Sequence, residues 1–168
     1  MRKNNSNLDL QNAEQQKAFE LVANTNTSLF ITGKAGTGKT TFIKRILEEI
    51  DKKFLVLAPT GIAAIAVGGQ TMHSFFGFPM QAISPHTKMV LSYENKCILE
   101  EIDTIIVDEV SMVRSDMVDG MDRCLRMVFK TNMPFGGKQV VFVGDLFQLP
   151  PIIKSNSADA EMLQDLYG

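Results

Sequence analysis

Residues 28–32 (SLFIT), 54–58 (FLVLA), 104–107 (TIIV) and 139–143 (QVVFV) are apolar almost without interruption. A strand with one wet face alternates apolar and polar side chains; one covered on both faces need not. The runs therefore predict buried strands of a mostly parallel sheet. Helical patterns separate them. Residues 13–22 form one. Residues 40–50 form the next, with Phe42, Ile43, Ile46, Leu47 and Ile50 on one face. In residues 115–129, Met117, Met121, Leu125 and Val128 make a stripe, while Asp119, Asp122, Arg123 and Arg126 point elsewhere. A methionine stripe at this spacing reads as core packing rather than a partner groove. Residues 78–96 hold Pro79 and Pro85 without a sustained period, which predicts a long connection with at most a short helix. The expected fold class is α/β, a mostly parallel sheet with helices on both faces.

A length of 168 residues suits one domain. A hydrophobic fraction of 45% and a charged fraction of 21% are those of a globular chain. Residues 1–8 read as a polar tail and 9–168 as the domain. The formal net charge of −2 leaves no bulk basic character, so any nucleic-acid contact must be local. Cys97 and Cys124 lie far apart with no CxxC spacing or nearby histidine pair, which argues against zinc and a disulfide framework. No signal-peptide or membrane-spanning run is present, and a cytoplasmic location is expected.

Each apolar run is followed at once by an unusual segment, and in open parallel sheets ligands gather beyond the carboxyl ends of the strands. After the first run comes Gly33-Lys34-Ala35-Gly36-Thr37-Gly38-Lys39-Thr40, which fits the pattern Gly-x-x-x-x-Gly-Lys-Ser/Thr between a strand and a helix. Such a loop turns backbone N–H groups toward phosphate oxygens at a helix N-terminus. Gly33, Ala35, Gly36, Thr37, Gly38, Lys39, Thr40 and Thr41 are the candidate nucleotide-binding residues, with Lys39 reaching the β- and γ-phosphates of ATP and Thr40 on Mg²⁺. The third run ends in Asp108-Glu109. Beside a P-loop this assigns Asp108 to the metal through its water shell and Glu109 to general base. The fourth ends in GDLFQLPP, where Gln148 is either a γ-phosphate sensor or part of a turn that closes the sheet. The second leads into Pro59-Thr60-Gly61 and on to His73-Ser74-Phe75-Phe76. These hydroxyls, amides and rings suit single-stranded nucleic acid, and core packing accounts for the phenylalanines equally well.

The segments APTGIAAIAVGGQTMHSFF, IIVDEVSMV, PFGGKQVVFVGD and GDLFQLPP, in that order, resemble the motifs of PIF-type superfamily-one DNA helicases. The resemblance runs from about Leu10 to Pro151 and implies a RecA-like P-loop NTPase, the first motor domain of a two-domain machine. Asn12-Ala13-Glu14-Gln15-Gln16-Lys17-Ala18 is similar to the family's glutamine motif, which implies adenine recognition by Gln15. The resemblance also places Thr60, Gly61, His73, Ser74 and Phe75 on single-stranded DNA, and gives Lys39, Glu109 and Gln148 the catalytic and coupling roles. It implies ATP-driven 5′-to-3′ translocation on single strands, action on forked duplexes and a monomeric motor. The arginines of a second motor domain are missing from this sequence. A truncated piece is therefore expected, binding nucleotide weakly, hydrolysing it poorly and not unwinding DNA alone. Other readings are a RecD-like recombination motor, disfavoured by the Phe-Gly-Gly segment and the Ser-Met after Asp-Glu, and a non-catalytic nucleotide-binding module, disfavoured by the intact Lys39 and Glu109.

Overall fold

A computed structural model of the chain describes residues 13–148, 151, 153 and 157–168. The tail expected at residues 1–8, together with Asn12, Leu149 and Pro150 of the quoted motifs, lies outside them. The sheet consists of β1 (Leu29–Thr32), β2 (Phe54–Ala58), β3 (Gln70–Thr71), β4 (Thr104–Val107) and β5 (Gln139–Gly144). Their order is β1-β5-β4-β2-β3 and every pairing is parallel, so all carboxyl ends share one edge.

Side chains alternate between two cores, which explains the unbroken apolar runs. Val56, Ile106, Val141 and Val143 pack against α1 (Ala13–Asn24) and α2 (Lys39–Glu49). Leu55, Leu57, Ile105, Val107 and Val140 face the opposite core, built with α4 (Met72–Phe76), α5 (Tyr93–Glu101) and α6 (Ser115–Phe129). The methionine stripe is core, with Met117 and Met121 buried. β1 departs from the expected two-sided burial because it is an edge strand. Leu29 and Ile31 pack toward α1 and α2, while Phe30 and Thr32 are exposed.

Short elements escaped the sequence reading because each is made by local capping rather than by an apolar period. In α3 (Gly61–Val67) the Thr60 hydroxyl accepts from Ala63 N, and the left-handed Gly68 ends the helix. α4 is started by Thr71 and stopped by the left-handed Gly77. The long connection is shorter than expected, since Ser92 caps α5 inside it and Leu99 is that helix's only buried residue. The remaining residues 78–92 are pinned by α6. Asp116 accepts from Ile83 N at 2.7 Å, and Arg123 donates to the carbonyls of Pro85 (2.6 Å) and Ser84 (3.0 Å). α7 (Ala158–Tyr167) closes against the same stretch of α6 through Tyr167 Oη, which donates to Asp119 at 2.6 Å. Among the described residues no helix is long and apolar enough to cross a membrane.

Candidate nucleotide and single-strand site

Gly144, at the end of β5, is where three strand exits meet. Its carbonyl accepts from Gly33 N, the first residue of the P-loop after β1. A Cβ at Gly144 would lie 2.9 Å from Val110 Cγ1 and 3.2 Å from Ser111 N, so the chain leaving β4 also passes directly against it. The Gly33–Thr40 loop, the Asp108–Glu109 pair and the segment at residues 145–148 are thus held to one point.

In the loop, Gly36 and Gly38 have φ of 77° and 84°, values that side-chain-bearing residues rarely adopt. Gly33 lies so close to Thr37 that a Cβ there would be 2.7 Å from its Oγ1. Thr37 Oγ1 donates to Lys34 O, and the Lys39 ammonium donates to the carbonyls of Gly33 (2.6 Å) and Lys34 (3.0 Å). Ala35 is exposed on the loop, while Thr40 and Thr41 occupy the first turn of α2. A cleft of about 370 Å³ runs from this loop past Gln15 and Glu14 of α1. Phe30 and Phe42 also line it, and neither stood out in the sequence as more than strand or helix apolar content.

Asp108 is buried at the end of β4, and one of its carboxylate oxygens accepts from Glu109 N at 2.9 Å. Burial pushes this carboxyl above its ordinary range; the Glu109 N–H opposes the shift, the Glu109 charge adds to it and the Lys39 charge counters it. Glu109 itself is left-handed, with φ 51° and ψ 42°, a conformation disfavoured for a side chain of this kind. Gln148 is half-buried and its N–H donates to Asp145 O at 3.0 Å, so it sits on a tight turn after β5. Asp145, given no role by the sequence, is buried and accepts from Phe147 N. Its position in Gly-Asp after a strand was the available signal.

The second exit pairs two segments separated by the short helix α3. Ala58 lies opposite Thr71 in the parallel register, so Thr60-Gly61 and His73-Ser74 leave the sheet as neighbours. Gly61 and Ser74 are exposed, Thr60 and His73 half-buried. Burial, then the nearby Arg114 charge, push the His73 imidazole below its usual value, with Asp116 opposing. Phe75 corrects the sequence expectation. It is 1% exposed and packs edge-to-face on Phe76, so its ring belongs to the core and cannot lie under a base.

A family model described as PIF1-like helicase matches residues 10–166. The chain belongs to the PIF1-like helicase family. It is 31% identical to the ATP-dependent DNA helicase RRM3 of Saccharomyces cerevisiae over 175 residues, an alignment covering 93% of this chain and 24% of that protein. Among solved structures, it matches the Pif1 helicase from Bacteroides in complex with ADP-AlF3 and ssDNA with a TM-score of 0.86 and 46% identity, over 92% of this chain and 36% of the other. A structure concerned with DNA unwinding at forked dsDNA by two coordinating Pif1 helicases matches with a TM-score of 0.87 at 46% identity, over 92% and 38%. The chain thus spans about a quarter of its RRM3 relative and little more than a third of the two structures. At this identity the comparisons establish the mostly parallel RecA-like sheet of the PIF1-like motor.

Proposed function

We propose that the chain is the ATP-binding and hydrolysing half of a PIF1-type DNA helicase that moves 5′-to-3′ on single-stranded DNA and acts on forked duplexes. The observation that carries this reading is the junction at Gly144, which links the P-loop, the carboxylate pair and residues 145–148 within a single shell. In it, the loop N–H groups and the N-terminus of α2 receive the phosphates, and Gln15 reads the base. Lys39 exchanges the carbonyls of Gly33 and Lys34 for the β- and γ-phosphates, and Glu109 takes the proton of the attacking water.

The donor set fits magnesium. Thr40 and Asp108 offer hard oxygens, and no group of three or more His, Cys, Asp or Glu that could hold a metal occurs among the described residues. A site with few protein ligands suits an ion that shares its shell with water and phosphate. When bound, the ion would neutralise charge on the β- and γ-oxygens.

Thr60, Gly61, His73 and Ser74 form the single-strand contact in this reading, through hydroxyls, backbone N–H groups and the imidazole. Phe75 acts from beneath by fixing α4. Gln148 links γ-phosphate loss to the exit of β5. The portion of the relatives that this chain does not match would supply the second motor domain, whose arginines contribute roughly 10³ to 10⁵ in related phosphoryl transfers. The reading takes a single copy as the translocating unit. It also places the protein in a reducing cytoplasm, where Cys124, its thiol pushed up to about 11 by burial, stays inert.

The test is ATP hydrolysis with and without a poly-thymidine oligonucleotide, on this chain and on one extended to the length of its relatives. Strong stimulation by DNA confined to the extended chain is the expected result. Hydrolysis indifferent to DNA in both would remove the helicase reading.

A further inference from the structure

The Phe-Gly-Gly-Lys-Gln segment is left unused by the nucleotide and single-strand reading. It lies at the opposite end of the sheet from the P-loop, where left-handed Phe135 and Gly136 turn the chain into β5. Gln139 opens β5, pairs in register with Thr104 and is 1% exposed. Strand alternation puts it on the face of Val141 and Val143, toward α1.

Its amide is saturated. Nε2 donates to the carbonyls of Leu21 (3.3 Å), Thr25 (3.0 Å) and Thr27 (2.9 Å). Oε1 accepts from Thr104 Oγ1 at 2.7 Å and from Lys52 Nζ at 3.2 Å. Lys52 Nζ donates in addition to the carbonyls of Val22 (2.6 Å) and Thr25 (2.8 Å). The last carbonyls of a helix lack intrahelical donors and carry the negative end of its dipole. Here one buried amide and one ammonium hold that end of α1 and the turn leading to β1.

Side-chain packing along α1 is modest, and the Arg45 guanidinium lies over the Phe19 ring at 4.5 Å. Val22 is its only buried residue, with Ala18, Phe19 and Ala23 partly packed beside it. Gln15 is on the same helix, seven residues before Val22 or roughly 10 Å along the axis, where it lines the nucleotide cleft. A helix held at one end transmits a shift of that end along its axis toward Gln15.

We propose that Gln139 and Lys52 are positioning residues for base recognition, setting from the far edge of the sheet where Gln15 meets the base. The inference rests on the reading of Gln15 given above. It assigns the Gly-Gly-Lys-Gln segment to nucleotide discrimination instead of to the phosphate or DNA chemistry.

The experiment is displacement of a fluorescent ATP analogue from this chain by ATP, GTP and inorganic tripolyphosphate, in wild type and in Gln15→Ala, Gln139→Leu and Lys52→Met. Gln139→Leu and Lys52→Met are expected to weaken ATP on the order of tenfold, the loss of about one hydrogen bond to the base. Tripolyphosphate should be unchanged and the preference for ATP over GTP should shrink. A merely structural role would lower the fraction of competent protein and leave those ratios alone. Equal weakening of ATP and tripolyphosphate, or unchanged ATP affinity, would overturn the proposal. Lys52→Met leaves Gln139's bonds to the carbonyls and to Thr104 in place, so it serves if Gln139→Leu does not fold. If Gln15→Ala binds like wild type, the base reading itself fails; if Gln15→Ala weakens ATP and the clamp variants do not, only the clamp fails.

Discussion

Replacing Asp116 by alanine should cost this fold more than any other single change at the site's periphery. The carboxylate is fully buried and accepts from Arg114 Nε (2.9 Å), Arg114 Nη2 (3.0 Å) and Ile83 N (2.7 Å). Removing one partner of a buried pair costs about 3–5 kcal/mol, because the other charge is left uncompensated. The Arg114 side chain is 17% exposed and keeps its bond to Gln81 O, which places the loss at the lower end, about 3 kcal/mol. The Ile83 N–H, on a buried residue, loses its acceptor and adds about 1 kcal/mol. With a urea slope of about 2 kcal/mol per molar, the unfolding midpoint should fall by about 2 M. A double variant, Arg114→Met with Asp116→Leu, should recover much of this, since replacing both members of a buried pair is often neutral. A fall below about 0.5 M in Asp116→Ala, or a double variant as unstable as the single one, would refute the reasoning.

Glu109→Gly should raise the unfolding free energy slightly, by about 1 kcal/mol, by relieving a left-handed side-chain-bearing residue, while ATP turnover disappears; a destabilised variant would contradict the strain assignment. Glu109→Gln in the extended protein should keep nucleotide binding and lose turnover, and Lys39→Ala should lose both, as read by analogue binding alongside phosphate release. Gly69→Ala should destabilise strongly, since its Cβ would fall 2.4 Å from the Val56 carbonyl oxygen; a midpoint within error of wild type would show that β3 can move away from β2. His73 has a folded-state pKa below its unfolded value, so its neutral form is favoured by the fold. Its contribution is present above the unfolded value of about 6.5 and is lost as pH falls from there through the folded value. His73→Gln should flatten the fall in melting temperature between about pH 6.5 and 5.

The parts of the site legible in the sequence are those whose chemistry is local. A glycine-rich loop between strand and helix, or a carboxylate pair closing a buried strand, states its geometry in consecutive residues. Thus the Gly33–Thr40 loop, Asp108 and Glu109 could be placed before any fold was known. α6 was equally readable because its apolar stripe runs for four turns. What escaped depends on which distant segments meet. Phe75 follows a histidine and a serine in a stretch rich in candidate contacts, and only the packing of α4 onto the sheet and α6 shows it to be core. Phe30 sits inside an apolar run and is nonetheless exposed, because β1 is an edge, which strand order decides and local pattern does not. Gln139 read as the polar start of a strand, although its acceptors lie at residues 21–27, more than a hundred positions away.

The same distinction bears on how a nucleotide signal would reach DNA. The residues that would bind phosphate follow β1 and β4, whereas those that would bind a single strand follow β2 and β3. Between the two groups the sheet is continuous, since β4 pairs with both β5 and β2. Asp108 N donates to Leu57 O at 2.9 Å, one residue before the end of β2, so the carboxylate pair and the exit toward Thr60 share a hydrogen bond. On the other side Gly144 leaves no slack, because Val110 and the P-loop both press on a residue without a side chain. A change in the P-loop on loss of the γ-phosphate therefore meets a tight contact at the exit of β5 and a backbone bond at the exit of β2. Residues 145–148 are the less restrained side of this arrangement, with Leu146 and Phe147 exposed and a turn held by Asp145, so they are where movement costs least. In the proposed motor, the segment carrying Gln148 would thus report the nucleotide state, while Thr60 and His73 would stay with the sheet as a fixed grip on the strand.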